Sequence, residues 1–91
     1  MYTVKFTNKF KKSYKLMIKR GKDISHLDFV VNTLMSGKQL SEKYHDHELT
    51  GTWKGYRECH IEPDWLLIYK IENDILILVL SRTGTHSDLF K

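Results

Sequence analysis

Residues 56–69, YRECHIEPDWLLIY, decide the fold. Tyr56 to Glu62 reads as a strand, Pro63-Asp64 as a tight turn, and Trp65 to Ile71 as the returning strand. Asn73-Asp74 is a second turn signal, and Ile75 to Arg82 forms the last strand. That strand is apolar on both faces, so it is expected to be central and covered on both sides for most of its length. Thr83-Gly84-Thr85 breaks it, leaving His86 to Phe90 as a short tail.

Upstream of the hairpin the pattern loosens. Gln39 to His47 is polar and irregular, with Leu40 and Tyr44 as anchors, and His47-Glu48-Leu49 offers a short strand before the Thr50-Gly51 turn. Further back, Phe10, Tyr14 and Met17, with Ile18 beside them, mark one side of a helix, and Leu27, Val30, Val31 and Leu34 mark another. Thr7 or Asn8 caps the first helix, and Asp23 or Ser25 the second. Gly21 and Gly37 end them. Tyr2, Val4 and Phe6 alternate as the inner face of an N-terminal strand. The two helices are joined by few residues, so they pair antiparallel, and their stripes are too apolar to be satisfied by each other alone. The expected fold is α+β: an N-terminal strand, then a two-helix hairpin packed on one face of a twisted antiparallel sheet, all in a single domain over residues 1–91.

Composition fits a soluble domain, with 41% hydrophobic and 29% charged residues. The longest apolar run, Ile75 to Leu80, is strand-sized, and the N-terminus lacks an apolar signal region, so no membrane association and a cytoplasmic location are expected. The lone Cys59 forms no internal disulfide. Charge is strongly skewed: residues 1–22 carry eight Lys or Arg and no Asp or Glu, although the whole chain is only +4. A basic front of this kind favours a polyanion such as nucleic acid, or an acidic protein partner.

Strand periodicity places His60 with Tyr56, Glu58 and Glu62, opposite Arg57, Cys59 and Ile61. It places Arg82 with Leu76, Leu78 and Leu80. If the strand ends meet, His60, Asp64, Arg82 and His86 converge at one rim of the sheet. His45, His47, His60 and Asp64 are a conceivable zinc set, but no pair has the spacing of a closed zinc site. Cys59 next to His60 is no nucleophile–base pair, because strand neighbours point to opposite faces. Metal-free acid–base chemistry on a phosphodiester remains. RNA supplies its own nucleophile, the 2′-hydroxyl; histidine suits the proton transfers, and arginine meets the phosphate charge. The plainer readings are a satisfied surface histidine at His26 and His45, and core tryptophans at 53 and 65.

The runs KYHDHELTGTWKGYRECHIEPDWLLIYKI and LVLSRTGTHSDLF resemble the YafQ-type toxins of the RelE/ParE toxin–antitoxin superfamily. The resemblance implies a RelE-like fold and a ribosome-dependent endoribonuclease, an mRNA interferase that cuts A-site mRNA without a cofactor. It carries functional histidines onto His47, His60 and His86, an aspartate onto Asp64 with Trp65 beside it, an arginine onto Arg82 and a terminal aromatic onto Phe90. His47 or His60 is then the general base, and Asp64 or His86 acts as acid or orients its partner. Arg82 meets the phosphate, Phe90 and Trp65 contact the nucleotide, and Lys11 and Lys12 hold ribosomal RNA. The implied partners are a DinJ-like antitoxin, the ribosome with its mRNA, and operator DNA through the antitoxin complex only. The alternatives are a ParE-like gyrase poison without nuclease activity and a decayed antitoxin-binding module.

Overall fold

The computed structural model describes residues 1–83. The expectations placed on His86 and Phe90 lie outside the described residues. The elements are β1 (Thr3–Phe6), α1 (Asn8–Lys19), α2 (Ile24–Met35), β2 (His47–Glu48), β3 (Arg57–Glu62), β4 (Trp65–Glu72) and β5 (Ile75–Thr83). Single 3-10 turns at Glu42–Tyr44 and Gly51–Trp53 flank β2. The sheet order is β1-β5-β4-β3-β2. The sheet is antiparallel except at one edge, where β1 runs parallel to β5 with Val4 opposite Leu76.

The local signals act as their chemistry dictates. Thr7 caps α1 by accepting from the Phe10 amide at 3.1 Å, and Asp23 caps α2 by accepting from the Ser25 amide at 3.0 Å. Asn73 and Asp74 both take positive φ, 51° and 62°, the conformation of a two-residue hairpin turn whose twist matches its strands.

Both helices pack on one face of the sheet. Phe10 and Met17 from α1 and Leu27, Val30 and Leu34 from α2 join Cys59, Trp65, Leu67, Tyr69, Leu76 and Leu78 in the main core. Ile18, expected in the buried stripe, is half exposed; Ser13 takes the buried position instead. Phe6 is also half exposed and stacks on Phe10 with ring centroids 5.6 Å apart. The other face carries a smaller cluster, in which Leu66 and Ile68 are covered by Leu49, Trp53, Tyr56, Val79 and Leu80. The strand buried most completely is β4, the middle one: Trp65 to Tyr69 are all buried. β5 lies one place out, between β1 and β4.

Two register shifts correct the expected faces. The first falls on β5, where Tyr69 pairs with Leu78 but Ile68 pairs with Leu80, so Val79 is extra. Arg82 therefore sits opposite Leu66 on the open face, not beside Leu76 and Leu78 under the helices. The second falls on β3, between His60 and Glu62. It sends Glu62 to the helix side, where it meets Lys22 and His26, rather than leaving it on the face of His60. A bulge inserts one residue and reverses side-chain alternation beyond it.

The β5 shift lies where β1 has ended, and α1 supplies the missing hydrogen bonds. The Thr7 hydroxyl donates to the Val79 carbonyl at 2.6 Å, and the Ser81 amide donates to the Ser13 hydroxyl at 3.1 Å. Ser81 also accepts from the Trp65 indole N–H at 2.7 Å, so the backbone that presents Arg82 is tied down on its buried side.

Candidate functional site

The register fixes which side chains share the open face. One row across the sheet runs His47, Glu58, Ile68, Leu80, and the next runs His60, Leu66, Arg82. Neighbouring strands lie about 4.8 Å apart, so the His60 and Arg82 backbones are separated by roughly 10 Å, a span an arginine side chain can bridge to a shared phosphate. Arg82 is exposed.

At the centre of the first row is a carboxylate that the sequence reading did not single out. Glu58 is fully buried, and its Oε1 lies 3.2 Å from His47 Nε2 and 3.7 Å from His60 Nε2. The other nitrogen of each ring meets a backbone carbonyl: His47 Nδ1 is 3.1 Å from the Glu48 oxygen, and His60 Nδ1 is 3.3 Å from the Pro63 oxygen. Both His47 nitrogens therefore face oxygen atoms within hydrogen-bonding distance, which fixes the plane of the ring. His60 sits less close to the carboxylate: its Nδ1 meets a carbonyl oxygen, which only accepts, and its Nε2 stands 3.7 Å from Glu58 Oε1. The signal that could have exposed Glu58 is its place in Glu-Cys-His: a carboxylate two residues before a histidine shares its face.

A second polar cluster anchors the loop before β2. Asp46 accepts from Arg57 Nε at 2.7 Å and from Nη2 at 2.6 Å, and also from the buried Tyr69 hydroxyl. Burial pushes the Tyr69 phenol well above its ordinary range, and the bond to Asp46 adds to this. Burial opposes the Arg57 charge, but Asp46 outweighs it and the net direction is up. The loop is thereby held against the helix side of β3 and β4, and His47 follows directly.

The remaining predicted residues are less centrally placed. Asp64 is exposed at the turn, 3.7 Å from Lys22 Nζ. Trp65 is fully buried in the main core with its N–H on Ser81, so it supports the site from beneath and does not contact a nucleotide. Lys11 and Lys12 are exposed on α1. Burial pushes the Cys59 thiol far above its ordinary range, which leaves it a packing residue.

Among the described residues, His47, Glu58 and His60 also form a potential metal-ligand group, with one ligand atom from each lying within 4.8 Å of the others. Two imidazoles and a carboxylate are a donor set that borderline divalent metals accept.

Residues 2–91 match the family described as the bacterial toxin of type II toxin-antitoxin system, YafQ. The mRNA interferase toxin YafQ of Escherichia coli K12 is 42% identical over 88 residues, which span 96% of this chain and 94% of the relative. Among solved structures, the toxin of the E. coli DinJ-YafQ complex superposes with a TM-score of 0.87 and 38% identity over all of both chains. A copper-bound mutant toxin from Helicobacter pylori superposes with a TM-score of 0.91 and 39% identity, over 99% of this chain and all of that one.

Proposed function

This chain belongs to the YafQ family of bacterial toxins of type II toxin–antitoxin systems, and on that premise we propose that it is a ribosome-dependent mRNA interferase working by metal-free acid–base chemistry. The observation that carries the reading is the open-face grouping of His47, Glu58, His60 and Arg82. It combines two imidazoles, a buried carboxyl and a guanidinium on one side of a rigid sheet.

His60 Nε2 takes the proton of the 2′-hydroxyl, and the 2′-oxygen attacks the adjacent phosphorus. The 5′-oxygen departs with a proton from His86, leaving a 2′,3′-cyclic phosphate and a 5′-hydroxyl. Arg82 meets the charge growing on the phosphate oxygens, and His47 flanks the same Glu58 carboxyl as His60. Glu58 is a positioning residue: buried, it touches the two imidazoles rather than the substrate, and fixes their orientation. Asp64, held near Lys22, steers the β3–β4 turn beside His60. Phe90 positions the nucleotide, and Lys11 and Lys12 engage ribosomal RNA.

The antitoxin partner is a DinJ-like protein whose acidic segment complements the basic front of the chain. The complex, not the toxin alone, binds operator DNA. The compartment is the cytoplasm; among the described residues no helix is long and apolar enough to cross a membrane.

Mapping transcript 5′ ends in cells expressing the chain tests the activity. Codon-phased cuts in translated messages are expected, and should disappear in His86→Ala. DNA damage without transcript cuts would instead identify a gyrase poison, and neither effect would identify an inactive binding module.

A further inference from the structure

Next to the acid–base group, on the far side of His60, lies an open cavity of about 800 Å³. Its lining includes Ile61 and Pro63, the aromatic rings of Phe29 and Tyr44, and the imidazoles of His45 and His60. Tyr44 packs against the main core from one side, but Phe29, Lys43 and His45 have no part in that core or in the chemistry described above.

Phe29 is 57% exposed although it is a large aromatic on α2, and its ring is tilted 30° to that of Tyr44 at a centroid distance of 6.2 Å. Lys43 Nζ stands 5.1 Å from the Tyr44 ring centre, which puts a cation at the rim. His45 meets the His60 ring edge-on, with centroids 5.6 Å apart. His45 also occupies the left-handed backbone region with φ 49°, where glycine would be unstrained. A histidine kept in that conformation at the mouth of a cavity presents its ring there at an energetic cost. Among the described residues the one acidic wall residue, Glu62, is held by His26 at 2.8 Å and by Lys22 at 3.4 Å.

We propose that this cavity is a nucleotide subsite: it takes one unpaired RNA base between the Phe29–Tyr44 pair and His45, beside the phosphodiester that is cut. The inference rests on the nuclease reading, because His60 is the wall shared with the acid–base group. Whatever fills the cavity lies against the ring that takes the proton. An unstacked base is flat, apolar on its faces and carries hydrogen-bonding edges. The cavity supplies exposed aromatic faces, imidazole groups and a cation on the backbone side, which is how single-stranded RNA is held. The subsite therefore selects the nucleotide next to the cut and fixes the register of the chain on His60.

The test uses RNA oligonucleotides in which every 2′-hydroxyl is methylated, with 2-aminopurine placed at each position in turn. The wild-type chain is expected to quench the fluorescence at one position. Phe29→Ala should weaken binding about tenfold, as loss of a stacked base does, and Phe29→Trp should restore it. His45→Gly relieves the backbone and should also weaken binding while leaving thermal stability intact. An abasic residue at the quenched position should bind the wild-type chain as poorly as the intact RNA binds Phe29→Ala. Equal quenching by wild type and Phe29→Ala, or no quenching by wild type at any position, overturns the subsite. So does a Phe29→Ala chain that quenches normally but loses capture of its antitoxin, which would assign the cavity to the protein partner. The two readings fail separately. Position-specific quenching without cleavage of translated messages leaves the subsite and removes the nuclease. Cleavage with unchanged kcat/KM in Phe29→Ala leaves the nuclease and removes the subsite.

Discussion

The two faces of the sheet are built from the same strands, yet they do opposite work. Under the helices, Cys59, Leu67, Tyr69, Leu76 and Leu78 close into one apolar core, whose charged neighbours, such as Asp46 and Arg57, pair at its margin. On the other face, among the described residues, only Leu66 and Ile68 are buried apolar residues, and Glu58, His60 and Arg82 stand around them. A chain of this length has little core to spare. Covering one face with helices leaves the other free to carry polar groups on a backbone that the first face keeps rigid. The division is sharpest along β3, where successive residues serve different faces. If the open face carries the proposed chemistry, the difference teaches that stability and activity are separable at the resolution of a single residue.

The strongest test of that separation uses two neighbours. His60→Ala is expected to lower cleavage of ribosome-bound message by about 10²- to 10⁴-fold, the usual worth of a general acid or base. Stability should stay within about 1 kcal/mol of wild type. Cys59→Ser, one residue away, should do the reverse. It places a hydroxyl in an apolar core at a cost of about 1–3 kcal/mol, with the rate per folded molecule unchanged. Single-turnover cleavage and urea denaturation of both variants measure the two effects. If both properties move together in both variants, the faces are not independent.

How much of this was legible in the sequence follows from the same geometry. The hairpin at 56–69, both helix stripes and their caps were readable because each is local: alternation, spacing of three and four, and side-chain oxygens at helix starts. The parallel pairing of β1 with β5 was not, since it joins residues more than seventy apart and leaves no turn between them. The faces were read correctly as far as His60 on β3 and as far as Leu78 on β5. They were misread for Glu62, Leu80 and Arg82, because a bulge carries no fixed composition and reverses alternation after it. Trp65 illustrates the same limit. For a tryptophan beside a turn aspartate, the sequence leaves both a core position and the substrate contact implied by the resemblance, and strand pairing turns it into the core. Glu58 escaped notice because a glutamate in a strand reads as solvent-exposed until its two imidazole neighbours are known.

The β5 irregularity offers a middle-sized test, because it is where the helix side reaches through to the open side. Ser13 accepts the Ser81 amide, next to Arg82. Ser13→Ala leaves that buried N–H without its partner and should cost about 1–3 kcal/mol. Val30→Ala, elsewhere in the core, should also reduce stability through lost packing. Only the serine variant is expected to lower kcat as well, by loosening the strand that presents Arg82, and Ser13→Thr should recover part of it. Hydrogen exchange at the Ser81 amide should quicken in the serine variant alone. An unchanged kcat in Ser13→Ala would show that Arg82 needs no support from α1.

The smallest effect is expected where neither face is touched. Lys11 and Lys12 lie exposed on α1, away from both the core and the His60 group. Reversing both charges should leave folding and the chemical step as they are and weaken ribosome binding at low salt only. Each phosphate contact contributes roughly 0.7 to 0.9 to the slope of log affinity against log salt, so loss of two contacts should flatten that slope by roughly 1.4 to 1.8 units. The gap from wild type should then narrow as salt rises, because the lost attraction is screened in both. Ribosome co-sedimentation across a salt series reads the slope directly. An identical slope would mean that the basic front meets something other than ribosomal phosphate, and an acidic antitoxin segment would be the partner left to account for its charge.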